Sequence, residues 1–468
     1  MLDKVIANGY CVGCGACAIG GNAQYKMEFT NDGTYLPVQL ADNKVKTHKE
    51  VCPFSDDCIN ENQIGMQLYQ AEDSIQHSVE AGYYLKNYVG YVQSSDFRRN
   101  GSSGGMVTWL LSKLLETKKI DYVIHAKPSR KGEKPLFKYG ISKTGEELKS
   151  GAKSKYYPVE MSQVINFVIE NPGRYAFVGV PCFIKAVRLL SKENSLLEER
   201  FVYTIALVCG HLKSDHFAKA MAWEMGIHPN NLQTFDFRVK HDGHKANDYG
   251  VEAQGLVDGK IVTKQAFTKD LFFYDWGRGF FKLSACDYCD DVIGETADIS
   301  IGDAWLPGYV DDPMGTNIVT LRKTELLNIL EKYSSELHLD EIGIEKIIQS
   351  QAGGFRHRRE GLAYRLYLKD SHGQYRPKKR VEANADISVK RKRIYELRLQ
   401  IADTSNSAYR IAEEYNDFLL INQHIQKLLT EYDNLYIIGW HRKFRAYIKK
   451  KVMANKTLRR IANMILRK

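Results

Sequence analysis

The sequence has no stretch of about 18 apolar residues, so no membrane-spanning helix is expected. Its start, Met1 to Gly9, lacks the apolar core of a secretory signal, and the expected location is the cytoplasm. In that compartment nine cysteines are unsuited to a disulfide framework and suit metal or redox chemistry instead. The odd count leaves one spare, and Cys58 is the expected one. Neither a Walker loop nor a G-x-G-x-x-G fingerprint is present. Acid is absent from Arg442 to Lys468, which holds eleven bases. Without that stretch 55 bases face 56 acids, so the net charge of +10 belongs to the tail. Nucleic acid is therefore not an expected partner of the body.

A chain of 468 residues is long for one core, and two or three domains are the prior. Residues 11 to 17 read Cys11-Val-Gly-Cys14-Gly-Ala-Cys17, followed far downstream by Cys52-Pro53. Three thiolates at C-x2-C-x2-C spacing wrap one face of a cubane cluster, and a remote Cys-Pro supplies the fourth sulfur. Zinc also accepts four thiolates, but the tight triple spacing fits iron–sulfur better. Met27 to Phe29 and Tyr35 to Val38 read as strands joined by the turn Asn31-Asp32-Gly33. This resembles half of a bacterial-type ferredoxin domain. A two-cluster ferredoxin has a further cysteine four residues after the run; Gly21 stands there, so one cluster is expected.

Four more cysteines, Cys182, Cys209, Cys286 and Cys289, lie far apart, each where an apolar run gives way to a turn. Strand ends that deliver cysteines to loops can gather ligands around one inorganic centre. Val89 to Val92, Tyr122 to Ala126, Ala176 to Val180 and Phe201 to Val208 read as strands, alternating with helical runs such as Met106 to Leu115 and Ile184 to Leu190. That alternation indicates an α/β sheet. Asn100-Gly101-Ser102-Ser103-Gly104-Gly105 opens a helix, where backbone amides bind phosphate or simply cap. Ser154-Lys155-Tyr156 lies in a segment able to hold a phosphate and stack on a flat ring, or to be a solvated turn. His241, His244 and Asp248 lie in a loop, as proton donors or as ordinary surface groups. Gly353 to Gly361 breaks the pattern. Beyond it Val389 to Ala402, Ala408 to Glu431 and Phe444 to Leu466 read as helices. The last is basic and amphipathic, suited to an anionic membrane surface or to packing on the body.

The set Asn100 to Gly105, Ser154 to Tyr156, Gly179-Val-Pro-Cys182, Val208-Cys209-Gly210, Cys286-Asp-Tyr-Cys289 and Ala297 to Asp303 resembles the coenzyme F420 hydrogenase/dehydrogenase beta subunit family. That family includes a 7-hydroxymethyl chlorophyll a reductase. The C-terminal part resembles its bacterial members associated with surface polysaccharides. The resemblance implies an α/β core with a mixed sheet, an N-terminal ferredoxin-like α+β domain and a C-terminal helical extension, at residues 85–335, 1–68 and 350–468. It implies FAD held by the Gly101 to Gly105 loop with Asn100, by Ser154, Lys155 and Tyr156, and by Asp303. It further implies two 4Fe-4S clusters, one on Cys11, Cys14, Cys17 and Cys52, the other on Cys182, Cys209, Cys286 and Cys289. The function implied is an iron–sulfur flavoprotein oxidoreductase. Its expected donor is ferredoxin or another electron-transfer protein, and its expected substrate a small molecule or sugar intermediate. An F420-linked electron-transfer subunit and a non-catalytic assembly protein with structural metal are the competing readings.

Overall fold

The computed structural model describes residues 2–20, 23–40 and 49–437. The expected helix Phe444 to Leu466 and the basic tail lie outside the described residues. In chain order the strands are β1 (Tyr25–Phe29), β2 (Tyr35–Gln39), β3 (Gln76–Ser78), β4 (Gly82–Tyr84), β5 (Lys86–Val92), β6 (Tyr122–Pro128), β7 (Phe137–Ser142), β8 (Tyr175–Gly179), β9 (Phe201–Leu207), β10 (Leu232–Val239), β11 (Gly250–Val257), β12 (Lys260–Phe267), β13 (Ile299–Asp303), β14 (Asn317–Leu321) and β15 (Leu337–Glu341).

Eight of them form one mixed sheet in the order β15-β5-β14-β13-β9-β8-β6-β7. The inner strands β13, β9, β8 and β6 run parallel, and β7, β14, β5 and β15 add antiparallel edges. Parallel strands are covered on both faces, which explains the apolar run of β8, where every residue is buried. The helix Met106–Glu116 packs on one face through Trp109, Leu110 and Leu114. On the other lies the helix Pro181–Glu193, with Phe183, Ile184 and Val187. The carboxyl ends of the four parallel strands share one edge, where open α/β sheets place their ligands.

The N-terminal strands β1 and β2 pair as the antiparallel hairpin that the sequence predicts, and its turn meets the body where the Asp215 amide donates to the Gly33 carbonyl at 2.8 Å. The cysteine run before it coils tightly because Gly13 and Gly15 take φ of +69° and +84°. A Cβ on Gly13 would sit 2.7 Å from the Tyr35 carbonyl oxygen, so only glycine fits. Val5, Tyr10 and Val12 join the same apolar cluster as Phe177, Phe183, Leu362 and Leu366, so both ends of the chain share a core with the sheet.

A separate antiparallel sheet, β10–β11–β12, packs with the C-terminal helices in a second cluster that includes Phe237, Phe281, Ile401 and Tyr409. Here the helix boundaries depart from expectation. One helix runs unbroken from Val389 to Tyr415, ends at Asn416 in the left-handed region (φ 51°), and a second spans Leu419–Tyr436. The polar run Asp403 to Ser407 does not interrupt it. Ser405 is buried, donates to the Ala402 carbonyl at 2.9 Å and accepts the Phe281 N–H at 2.7 Å. Gly353 to Gly361 is also helical, against expectation: Ala352–Arg356 leads into a π-turn, His357–Gly361, then Leu362–Ser371. These glycines permit close packing, since a Cβ on Gly361 would meet the Tyr395 ring at 2.6 Å.

Candidate functional site

Cys182, Cys209, Cys286 and Cys289 line one small cavity at the carboxyl edge of the sheet, with Val12, Phe54, Leu212, Asp291 and Arg358. Cys209 follows β9, and Cys286 lies in the short turn Ser284–Tyr288. Cys182 lies on the first turn of the helix Pro181–Glu193 rather than in a loop. Pro181 lacks an amide that a first helical position would leave unbonded, so the helix starts at once. The Leu212 amide donates to Cys286 Sγ at 3.2 Å. Burial pushes the Cys209 thiol up to about 12 and holds Cys182 and Cys286 well above their usual range. The neighbouring thiols push in the same direction. Four thiols gathered on one cavity form a donor set suited to a cationic inorganic centre.

The second set forms at the N-terminus. Burial and then Cys52, Cys17 and Cys11 keep the Cys14 thiol protonated. Burial raises Cys11 to about 11 and Cys52 to about 12. The Gly13 amide donates to Cys11 Sγ at 3.3 Å. Cys58 is a neighbour of Cys52 but meets the buried Lys185–Glu61 ion pair (3.1 Å) and is not among the groups acting most on Cys11, Cys14 or Cys17. Of the two candidates for the fourth place, the structure gathers Cys52 with the run. Cys14 is also among the groups acting on Cys182, so the two sets are neighbours.

Beside them opens a cavity of about 250 Å³. Gly101, Ser102, Ser103, Gly105, Ser154, Lys155, Tyr156 and Asp303 all contribute to its wall, as do Val12 and Leu212, which also line the cysteine cavity. Ser102 Oγ lies 3.0 Å from Ser154 Oγ and accepts the Ser154 amide at 2.7 Å. Met106, Val107 and Thr108 bring the N-terminal turn of the helix Met106–Glu116 to the wall, a natural anion site. Two of the expected residues stand apart. Asn100 is exposed at the end of the short helix Ser95–Arg99. Gly104 is pressed behind the wall, where a Cβ would lie 2.7 Å from Asn317 Oδ1. Lys155 turns its ammonium back on its own loop, donating to the carbonyls of Gly151 (3.1 Å), Ala152 and Lys153 (2.8 Å). Burial pushes it down to about 8. The Tyr156 ring meets Trp276 edge to face at 4.7 Å.

Sequence reasoning missed three basic residues here. Arg238, on β10, is buried and donates to Asp303 (3.0 Å), Tyr156 Oη (3.2 Å) and the Ser102 carbonyl (2.9 Å). Lys240 donates to the Arg98, Ser103 (2.9 Å) and Met314 (2.6 Å) carbonyls and braces the Gly/Ser loop from behind. Arg358, in the π-turn, reaches the cysteine cavity. The signals were weak: two basic residues in a strand, and a basic run read only as a breaker. His241, His244 and Asp248 do not line the large cavity; His244 pairs with Asp248 at 2.9 Å.

Residues 87–166 and 173–346 match the models for the N-terminal and C-terminal parts of the coenzyme F420 hydrogenase/dehydrogenase beta subunit. The chain belongs to this family. A coenzyme F420-dependent sulfite reductase of Methanocaldococcus jannaschii is 24% identical over 386 residues, 78% of this chain and 53% of that protein. An uncharacterized protein of the same organism is 25% identical over 217 residues, 39% of this chain and 59% of that one. The chain thus spans about half the length of the curated relatives it matches. A chain of the F420-reducing NiFe hydrogenase complex from Methanosarcina barkeri aligns with a TM-score of 0.45 at 17% identity, covering 60% of this chain and 92% of that one. The matched residues hold the core cysteines and the large cavity's Gly/Ser loop; the N-terminal cysteine run and Arg358 lie outside them. Among the described residues no helix is long and apolar enough to cross a membrane.

Proposed function

We propose that the chain is an iron–sulfur flavoprotein oxidoreductase. Cys11, Cys14, Cys17 and Cys52 would hold one 4Fe-4S cluster, Cys182, Cys209, Cys286 and Cys289 a second, and the large cavity FAD. The observation that carries the reading is the arrangement itself: two fours of free cysteines side by side, the core four sharing walls with a cavity edged by a Gly/Ser loop and a helix N-terminus. Among the described residues no three His, Cys, Asp or Glu side chains converge closely enough for a single ion. Thiols spread around a cavity suit a polynuclear cluster better than zinc. Bound there, the clusters supply single electrons and the flavin exchanges them as pairs with a substrate.

In this reading the chain's own residues bind and orient. Ser102, Ser154 and the Val107 and Thr108 amides of the helix Met106–Glu116 take phosphate oxygens, the Met106 amide being held by Asn317 Oδ1 (3.2 Å). Arg238 fixes Asp303 and Tyr156 on the wall, and Val12 and Leu212 keep water from between the two cavities. The ferredoxin-like cysteine run supports ferredoxin, or another electron-transfer protein, as donor. The substrate would be a small molecule or a sugar-type intermediate of surface-polysaccharide synthesis, met near the inner membrane face through the basic stretch 442–468. Anionic liposomes should retain the full chain more strongly than neutral ones.

Anaerobic purification followed by iron, sulfide, zinc and flavin quantitation tests the assignment. About eight irons and one FAD per chain are expected; zinc with no flavin would overturn it. The family's description and the sulfite reductase relative favour a second reading, an F420-linked electron-transfer subunit. Rapid reduction of the purified protein by reduced F420 would select it.

A further inference from the structure

Arg358 is 1% exposed and sits in the π-turn His357–Gly361. Such turns are rare and gather at functional sites, because one extra residue re-aims the side chains that follow. Its Nη2 donates to the carbonyls of Cys209 (2.9 Å) and Gly210 (2.8 Å), which fixes the guanidinium at the rim of the cysteine cavity. Its Nε and Nη1 are buried and have no oxygen or nitrogen acceptor among the described residues; the side chain the guanidinium meets is the Cys289 thiol. The side chains that act on it most strongly are Cys289 and Cys209. Asp291, the other ionisable group on that cavity apart from the cysteines, does not answer it. Its two oxygens accept the Gly294 (2.8 Å) and Glu295 (2.9 Å) amides.

A buried guanidinium with two idle donors is costly unless something anionic faces it. Four thiolates around a 4Fe-4S core are such a group, with net charge −2 when oxidised and −3 after taking one electron. We propose that Arg358 is a positioning residue of the core centre. It directs its free N–H groups at the cysteine sulfurs, favours the more negative, reduced state, and so raises the core reduction potential above that of the N-terminal centre. This rests on the cofactor reading above. The electron gained by the core set is the one given up by the N-terminal set, so the arginine biases flow from the N-terminus toward the large cavity. No arginine is among the groups acting most strongly on Cys11, Cys14, Cys17 or Cys52. Because Arg358 lies beyond the residues matched by the family models, the bias is a property that the C-terminal segment adds.

The test is a dithionite titration followed by electron paramagnetic resonance on the wild type, Arg358→Gln and Arg358→Lys, with iron and sulfide counted in each. Arg358→Gln should shift the core signal to lower potential and leave the N-terminal signal in place. Arg358→Lys, which keeps the charge, should recover most of the shift. An unshifted core signal in Arg358→Gln overturns the proposal, as does a shift of equal size in Arg358→Lys. A wild type without iron defeats the cofactor reading itself, an outcome distinct from either.

Discussion

The Arg238 guanidinium lies 3.0 Å from the Asp303 carboxylate and joins the two sheets across the mouth of the large cavity. Arg238 comes from β10 and Asp303 from the end of β13, so neither sheet alone completes the wall. Removing one partner of a buried pair leaves the other uncompensated, at a cost of about 3–5 kcal/mol. Arg238→Met should therefore destabilise the fold by about 3 kcal/mol and release flavin. Asp303→Asn, which can still accept a hydrogen bond, should cost less. Denaturant unfolding with flavin quantitation checks both.

Gly13→Ala places a methyl group against the Tyr35 carbonyl at a positive φ. The strain is on the order of 1–3 kcal/mol and falls on the cysteine run. The expected result is loss of about half the iron with the far-ultraviolet circular dichroism unchanged. Full iron would show that the run tolerates another path.

The two classes of cysteine separate by substitution. Cys286→Ser should remove the core iron and spare the N-terminal centre. Cys58→Ser should leave the iron content unaltered, because Cys58 faces Lys185 and Glu61 instead of the run. Iron loss in the second variant would move the fourth ligand from Cys52 to Cys58.

His125 is 7% exposed, its Nε2 lies 2.9 Å from Ser142 Oγ, and burial and then Lys127 and Lys155 push it down to about 3. The unfolded chain takes the proton near pH 6.5 while the folded chain refuses it. Stability from this group is thus complete above pH 6.5 and lost as pH falls toward 3. The loss amounts to about 2 kcal/mol by pH 5. His125→Gln should flatten the unfolding midpoint between pH 7 and pH 5, whereas an equally steep decline would assign the sensitivity to other groups.

The sheet was legible because β8 and most of β6 and β9 are apolar, which local sequence reveals directly. The grouping of the cysteines was legible from their spacing and their places at strand ends, and the structure brings them into two neighbouring sets. What stayed hidden depends on contacts remote in sequence. Arg238 is an ordinary strand arginine until β10 is laid against β13. Gly354 and Gly361 read as breakers because the sequence does not show that Val292 and Tyr395 press against them. Ser405 reads as a polar interruption until Phe281 supplies the amide that it accepts.

Val12, Cys209 and Arg358 stand on one cavity, yet the ribosome releases them in widely separated stretches of synthesis. The pocket has no finished wall until the π-turn has emerged. A nascent chain that already displays Cys182 and Cys209 therefore holds them on a cavity open on one side until Arg358 arrives to close it.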